Sequence, residues 1–252
     1  LFIASNAVPT KFGEKSQQYL LENDGNGNFK EVTPSFAPEL KNIGNIKDFI
    51  WKDLDKNGFQ DLIVVGHWNP ITIFLNNGKQ LLPQNDNGLA KTNGWWNCIE
   101  LADLDNDGDL DILGNFGSTI QWHENNGSGS NFEQKELAKI TTYEASRRTW
   151  GSTNFAMDDI DQDGDLDIVS ASRGGKAISW YENTGGDTTP AYTEGSVLIE
   201  GDFGGVSRVL MSDFDGDGDI DIAGGAYYGK GGNEDNRRLI IFGNQSTERT
   251  QS

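Results

Sequence analysis

The sequence has little with which to cross-link itself, cross a bilayer or hold an anion. Its single cysteine, Cys98, excludes an intrachain disulfide and with it the small disulfide-stapled scaffolds. No stretch reaches 18 consecutive apolar residues, so no direct membrane insertion is expected. The opening LFIASNAVP has neither the basic start nor the apolar core of a signal peptide. Neither absence fixes the compartment, because a trimmed chain would look the same. Lys and Arg number 20 against 39 Asp and Glu, a formal net charge of −19 at pH 7. Nucleic acid and anionic membrane surfaces reward a basic face, so both are excluded as partners, whereas cations are attracted. Only two histidines, His67 and His123, are present, which leaves few candidates for acid–base chemistry near neutral pH.

What is present is a folded composition with a repeat. The 252 residues are 35% hydrophobic and 10% aromatic, with 32 glycines that imply many turns. A nine-residue acidic motif recurs as DLDKNGFQD, DLDNDGDLD, DIDQDGDLD and DFDGDGDID, starting at residues 53, 103, 159 and 213. Two and four residues before each first aspartate stand Phe49 and Trp51, Ile99 and Leu101, Phe155 and Met157, Val209 and Met211, the alternation of a strand. Short apolar runs follow the last aspartate: LIVVG, ILGNF, IVSAS and IAGGA. A third strand then precedes a turn in ITIFLNNG, IQWHENNG, ISWYENTG and LIIFGN, and a weaker, more polar fourth follows, as in NFEQKEL.

Units of about 40–50 residues with four short strands and no helical period predict an all-β fold, a β-propeller of four-stranded blades with an acidic loop between strands 1 and 2. A β-sandwich of two domains is the competing architecture, disfavoured by the regular spacing. The expected organisation is a single propeller domain, or part of one, over 1–252, with blade units near 1–45, 46–94, 95–150, 151–204 and 205–252. LFIA at the start aligns with the residues that follow each loop, and 17–33 supplies a third and fourth strand. Four first strands and five second strands give four to five blades, hence an expected arc of a larger propeller. Trp122 and Trp180 occupy equivalent third-strand positions, matched by Ile73 and Ile241, and are expected in the core.

The loops have the spacing of a calcium cradle. Calcium takes six to eight oxygen ligands, and side-chain oxygens at alternate positions of a short loop can wrap it. Positions 1, 3, 5 and 9 supply side chains, position 7 a backbone carbonyl, and the glycine at 6 the sharp turn. The expected ligands are therefore Asp53, Asp55, Asn57, Phe59 (carbonyl) and Asp61; Asp103, Asp105, Asp107, Asp109 (carbonyl) and Asp111; Asp159, Asp161, Asp163, Asp165 (carbonyl) and Asp167; and Asp213, Asp215, Asp217, Asp219 (carbonyl) and Asp221. About four calcium ions are expected, with the first loop weakest because Asn57 removes one charge. An EF-hand is excluded: position 12 is Val64, Gly114, Ser170 or Gly224 instead of glutamate, and strands flank each loop.

These loops, with the following strand and its ENNG or ENTG turn, resemble the FG-GAP and VCBS repeats of integrin-α-like β-propellers. The resemblance covers nearly the whole chain. It implies calcium in each loop, a seven- or eight-bladed toroid and an extracellular, secreted or cell-surface setting. Phe116-Gly117 is followed by Ser118 and no Gly-Ala-Pro occurs, which favours the bacterial-style repeat over an integrin subunit.

Recognition is expected at the propeller face opposite the loops. Candidate ligand-binding residues there are His67, Trp68, Trp95, Trp96, Arg147, Arg148, Trp150, Arg173, Tyr227 and Tyr228, since flat rings stack on sugars or protein side chains while polar groups fix orientation. The favoured function is a calcium-stabilised extracellular binding or adhesion module for a glycan or an extracellular protein. The alternatives are the propeller of a polysaccharide lyase or other carbohydrate-active enzyme, and a structural spacer. A lyase needs a base and a charge neutraliser; His67 could serve as base, but no partner is identifiable from spacing.

Overall fold

The apolar runs after each acidic motif become strands buried on both sides. The computed structural model describes residues 1–11, 13–116, 119–127, 129–135, 137, 152–172, 177–186, 189–193, 195–200, 206–226 and 238–244. In chain order the strands are β1 (Phe2–Ile3), β2 (Tyr19–Asn23), β3 (Phe29–Glu31), β4 (Ile46–Lys52), β5 (Asp61–Asn69), β6 (Thr72–Asn76), β7 (Leu81–Pro83), β8 (Gly94–Ala102), β9 (Asp111–Phe116), β10 (Thr119–Asn125) and β11 (Phe132–Lys135). They continue with β12 (Ser152–Asp158), β13 (Asp167–Ser172), β14 (Ala177–Tyr181), β15 (Ser196–Glu200), β16 (Val206–Ser212), β17 (Asp221–Ala226) and β18 (Arg238–Phe242). Among the described residues helix is confined to α1 (Thr33–Phe36) and two 3₁₀ turns. Each acidic motif joins the first and second strands of an antiparallel pair: β4 and β5, β8 and β9, β12 and β13, β16 and β17.

By packing, the chain forms two compact units. The first takes in Leu1–Ala102, Gly108–Phe116 and His123–Lys135. Alternation along β5 sends Leu62 and Val64 into a cluster with Phe2, Leu40, Phe74 and Leu81, and Ile63 and Val65 into another with Ile73, Trp96, Ile99 and Ile112. This two-sided burial explains why LIVVG is continuously apolar instead of alternating. Each such side chain contributes about 1.5–3 kcal/mol of burial. The second unit is built mainly from β12–β18, around Ile160, Val169, Ala171, Ile178, Val206, Val209 and Ile222.

Side chains on the first strands tie one repeat to the next. Asp48 Oδ2 accepts the Ile99 N–H at 3.1 Å, and Asn154 Oδ1 accepts the Val209 N–H at 2.9 Å. Both acceptors stand five residues before their acidic motif, just beyond a register shift that frees the side chain from the regular pleat.

Among the described residues the sheets depart from uniform four-stranded blades. The set β12-β13-β14-β15 has four strands, whereas β1-β2-β3 and β16-β17-β18 have three. Strands β4 to β11 join in one eight-stranded sheet, because β5 and β8 run on for nine residues each and pair at their ends, His67 with Trp95 and Asn69 with Gly94. Ile241 also departs from expectation: it is 55% exposed, whereas its counterpart Ile73 is fully buried. Trp122 is buried and Trp180 half-buried.

Candidate functional site

The first, third and fourth acidic loops fold around their first and last aspartates. In the first loop Asp53 accepts the backbone N–H groups of Asn57 at 3.1 Å and Gly58 at 2.8 Å. Asp159 does the same for Asp163 and Gly164, both at 3.0 Å, and Asp213 accepts from Gly216 and Gly218. The sixth-position glycines, Gly58, Gly108, Gly164 and Gly218, have φ between 89° and 99°, a region that a side chain would strain.

The ninth aspartate is a buried staple. Asp61, Asp111 and Asp167 are fully buried and Asp221 is 1% exposed. Asp61 accepts the Leu54 N–H at 2.8 Å and the Asn76 N–H at 2.7 Å, joining its loop to the end of the third strand. Asp167 joins Ile160 to Asn183, and Asp221 joins Phe214 to Asn244, in the same way. Asp111 accepts from Asn125 at 2.8 Å. The asparagines of the LNNG, ENNG and ENTG turns, and of the final GN, are therefore part of the site. Their repetition was visible in the sequence, but their role as donors was not.

The remaining carboxylates converge. Oxygens from Asp53, Asp55 and Asp61 lie within 4.8 Å of one another, as do those of Asp103, Asp105 and Asp107, of Asp159, Asp161 and Asp163, and of Asp213, Asp215 and Asp221. Burial, with the charge of Asp161 adding to it, pushes the Asp167 carboxyl up to about 6. Burial and the charges of Asp55 and Asp53 also raise Asp61; desolvation and the neighbouring aspartates raise Asp161 and Asp215. Hard oxygen donors that converge and repel fit a hard divalent cation. Asn57 differs from the aspartates at its position: its Nδ2 donates to Asp55 Oδ2 at 2.9 Å and to the Asn76 carbonyl at 2.9 Å, and its Oδ1 accepts from Phe59.

At the far end of β5, roughly 23 Å from Asp61 at about 3.3 Å per residue, three aromatic side chains meet. The His67 and Trp95 ring centroids are 4.5 Å apart, Trp68 and Trp95 5.1 Å, and His67 and Trp68 5.9 Å. Trp68 and Trp95 are 50% and 44% exposed. Trp68 has φ 63° at a register shift between His67 and Asn69, so a bulge turns its indole outward. A bulky residue held there costs about 1–3 kcal/mol, a strain characteristic of functional positions. His67 is partly buried with its Nε2 enclosed and unbonded. Burial, then the Lys47 charge, lowers its pKa, so the ring is neutral at pH 7.

Trp96 belongs elsewhere. It is fully buried in the core, its Nε1 donating to the Thr92 carbonyl at 2.8 Å, and so is not an exposed ligand-binding residue. The β8 register shifts between Trp96 and Ile99, which places both on the core side and sends Trp95 out. Arg147, Arg148, Trp150, Arg173, Tyr227 and Tyr228 lie outside the described residues.

His123 is structural. It is 1% exposed on β10, edge-on to Trp96 at 6.0 Å, and burial pushes its pKa down to about 4. The unfolded chain takes up a proton near pH 6.5 that the folded chain refuses until about 4. Stability present above 6.5 is therefore lost as pH falls through that window, by up to about 3 kcal/mol. Denaturant titrations between pH 7 and pH 4 should show this slope, and His123→Gln should flatten it; equal slopes in both proteins would refute the assignment.

Among curated proteins, no sequence matches this chain. A solved structure that it resembles is described as the structural basis of specific recognition of non-reducing terminal N-acetylglucosamine by a lectin of Agrocybe aegerita, at a TM-score of 0.56 and 20% identity. The match covers 83% of this chain but only 55% of the lectin, and it supports an all-β, β-propeller-like fold. The FG-GAP-like repeat family matches this chain at residues 53–114 and 159–224, which together take in all four acidic loops and half of the chain. The chain belongs to the FG-GAP-like repeat family.

Proposed function

We propose that the protein is a calcium-stabilised, extracellular glycan-binding module, with four to five propeller blades. The observation that carries the recognition half is the exposed His67–Trp68–Trp95 cluster, set at the opposite end of β5 from its acidic loop. Two indoles meeting at 69° form a corner: the apolar face of a pyranose stacks on one ring while its edge substituents touch the other. The lectin-like fold supports the same reading. Calcium is supported by the converging carboxylates and the family. The residues that would hold it are those at positions 1, 3, 5 and 9 of each loop, with the position 7 carbonyl. Bound there, the ion supplies positive charge that offsets the carboxylates and braces the loop. The first loop binds weakest, since the Asn57 amide already engages Asp55. Sites of this kind hold calcium at roughly 10⁻⁴–10⁻³ M, which suits an extracellular compartment.

A glycan array in millimolar calcium tests the recognition. The expected result is a defined set of bound sugars, with N-acetylglucosamine-terminated glycans among the first to examine. Trp68→Ala and Trp95→Ala should each weaken binding about 30-fold, the loss of a 2 kcal/mol anchor, with melting unchanged. Retained affinity in both variants would remove this cluster as the site. No bound glycan would point to a protein partner or a spacer, and unsaturated products released from a bound glycan would point to a lyase.

A further inference from the structure

Neighbouring acidic loops are joined by one residue that offers no ligand. Gln162, fourth in its loop, donates from Nε2 to the Gly218 carbonyl at 3.2 Å and to Asp219 Oδ1 at 2.8 Å. Lys56, fourth in the first loop, donates from Nζ to the Gly108 carbonyl at 2.9 Å and to Asp109 Oδ1 at 3.0 Å. In both cases a fourth-position side chain grasps the sixth and seventh residues of the following loop. A long neutral amide and a long cation make the same two bonds, so reach and donor capacity are what the position requires.

The backbone conformation at this position is shared by the four loops. Lys56 and Gln162 have φ 59° and 61°, a left-handed conformation that glycine adopts without strain and that these residues adopt at a cost. The fourth loop has glycine at this position, Gly216 with φ 83°. The second has Asn106 with φ 54°, so the left-handed turn belongs to every loop, and Lys56 and Gln162 use it to reach the loop that follows.

We propose that Gln162 is a positioning residue for the following loop: by holding the Gly218–Asp219 peptide, it orients the seventh-position carbonyl of Asp219 and so raises the calcium affinity of a loop to which it gives no ligand. The proposal rests on the calcium reading above. Asp219 is fully buried while its neighbours Asp217 and Gly218 are exposed, and its N–H donates to Asp217 Oδ1 at 2.9 Å, so Gln162 adds a second hold on a residue already turned inward.

Calcium titration by calorimetry on the whole chain tests it. Gln162→Ala should weaken one site about five-fold, the worth of one ordinary net hydrogen bond, leaving the number of sites unchanged. Gln162→Lys, which restores the contact made by Lys56, should recover most of that loss. In an Asp217→Ala background, where the fourth loop has lost a ligand, Gln162→Ala should have no further effect; in an Asp163→Ala background the five-fold loss should remain. The reverse pattern would show that Gln162 acts on its own loop and would overturn the proposal, as would unaltered affinity in Gln162→Ala. Amide exchange of Asp219 in the metal-free protein gives a second readout, faster in Gln162→Ala if the contact orders the loop. Absence of calcium uptake by the parent would defeat the calcium reading alone, and unchanged exchange would then defeat the positioning role separately.

Discussion

In excess chelator the protein should melt about 10–20 °C lower than in millimolar calcium. At about 1 mM calcium, a site with a dissociation constant of about 10⁻⁴ M contributes about 1.4 kcal/mol, so four sites contribute about 5–6 kcal/mol. A chain of this size shifts by about 2–4 °C per kcal/mol. The structure gives the physical source of the effect. The Asp167 carboxyl, pushed up to about 6 by burial, is ionised at pH 7 only at a cost that a bound cation would remove. In the metal-free state its raised pKa adds stability that is complete below about pH 4 and lost as pH rises through about 6. Acidification over that window should thus partly offset chelation at this residue, and it opposes the His123 slope. Scanning calorimetry with metal removal verified by elemental analysis decides the matter; an unchanged melting curve would sink the calcium reading.

Trp96→Ala should destabilise the first unit by about 3–5 kcal/mol, the usual cost of emptying a large aromatic from a packed core. Trp96 is fully buried among Ile63, Ile73, Ile99 and Ile112, and its indole covers Gly114, where a Cβ would collide with the ring. The expected fall in melting temperature is about 6–20 °C. Trp95→Ala, one residue away, should leave melting nearly unchanged while weakening glycan binding about 30-fold. Denaturant unfolding of the two variants side by side checks both halves: equal destabilisation would mean that Trp95 is also a core residue, and unaltered stability in Trp96→Ala would contradict the packing.

Local features of the fold were legible because they repeat. The second strands were readable from LIVVG and its relatives, and the acidic loops from spacing alone, since a nine-residue loop closed by its own aspartates depends on few distant residues. Trp96 was misread because it was placed with Trp95 on the recognition face, whereas both lie on β8, which starts at Gly94, and its register shift turns Trp96 into the core. The Asp48 and Asn154 staples and the Lys56 and Gln162 bridges link residues 51 to 57 positions apart, and the pairs that join β4 to β11 in one sheet, His67 with Trp95 and Asn69 with Gly94, are also distant in sequence. No local pattern marks such contacts, although the same offset from the acidic motif in two repeats would have singled them out. The second-strand extension that brings His67 to Trp95 is likewise a tertiary event.

The length of β5 has a consequence for how such a protein can change. Its first residue, Asp61, is held by the acidic loop, and its seventh and eighth, His67 and Trp68, stand at the opposite end with Ile63, Val64 and Val65 locked in between. Mutation at the aromatic end therefore meets little of the cohesion that keeps the acidic end folded. New specificities can be sampled at positions 67, 68 and 95 by drift or by directed libraries, on a scaffold that need not be rebuilt for each one.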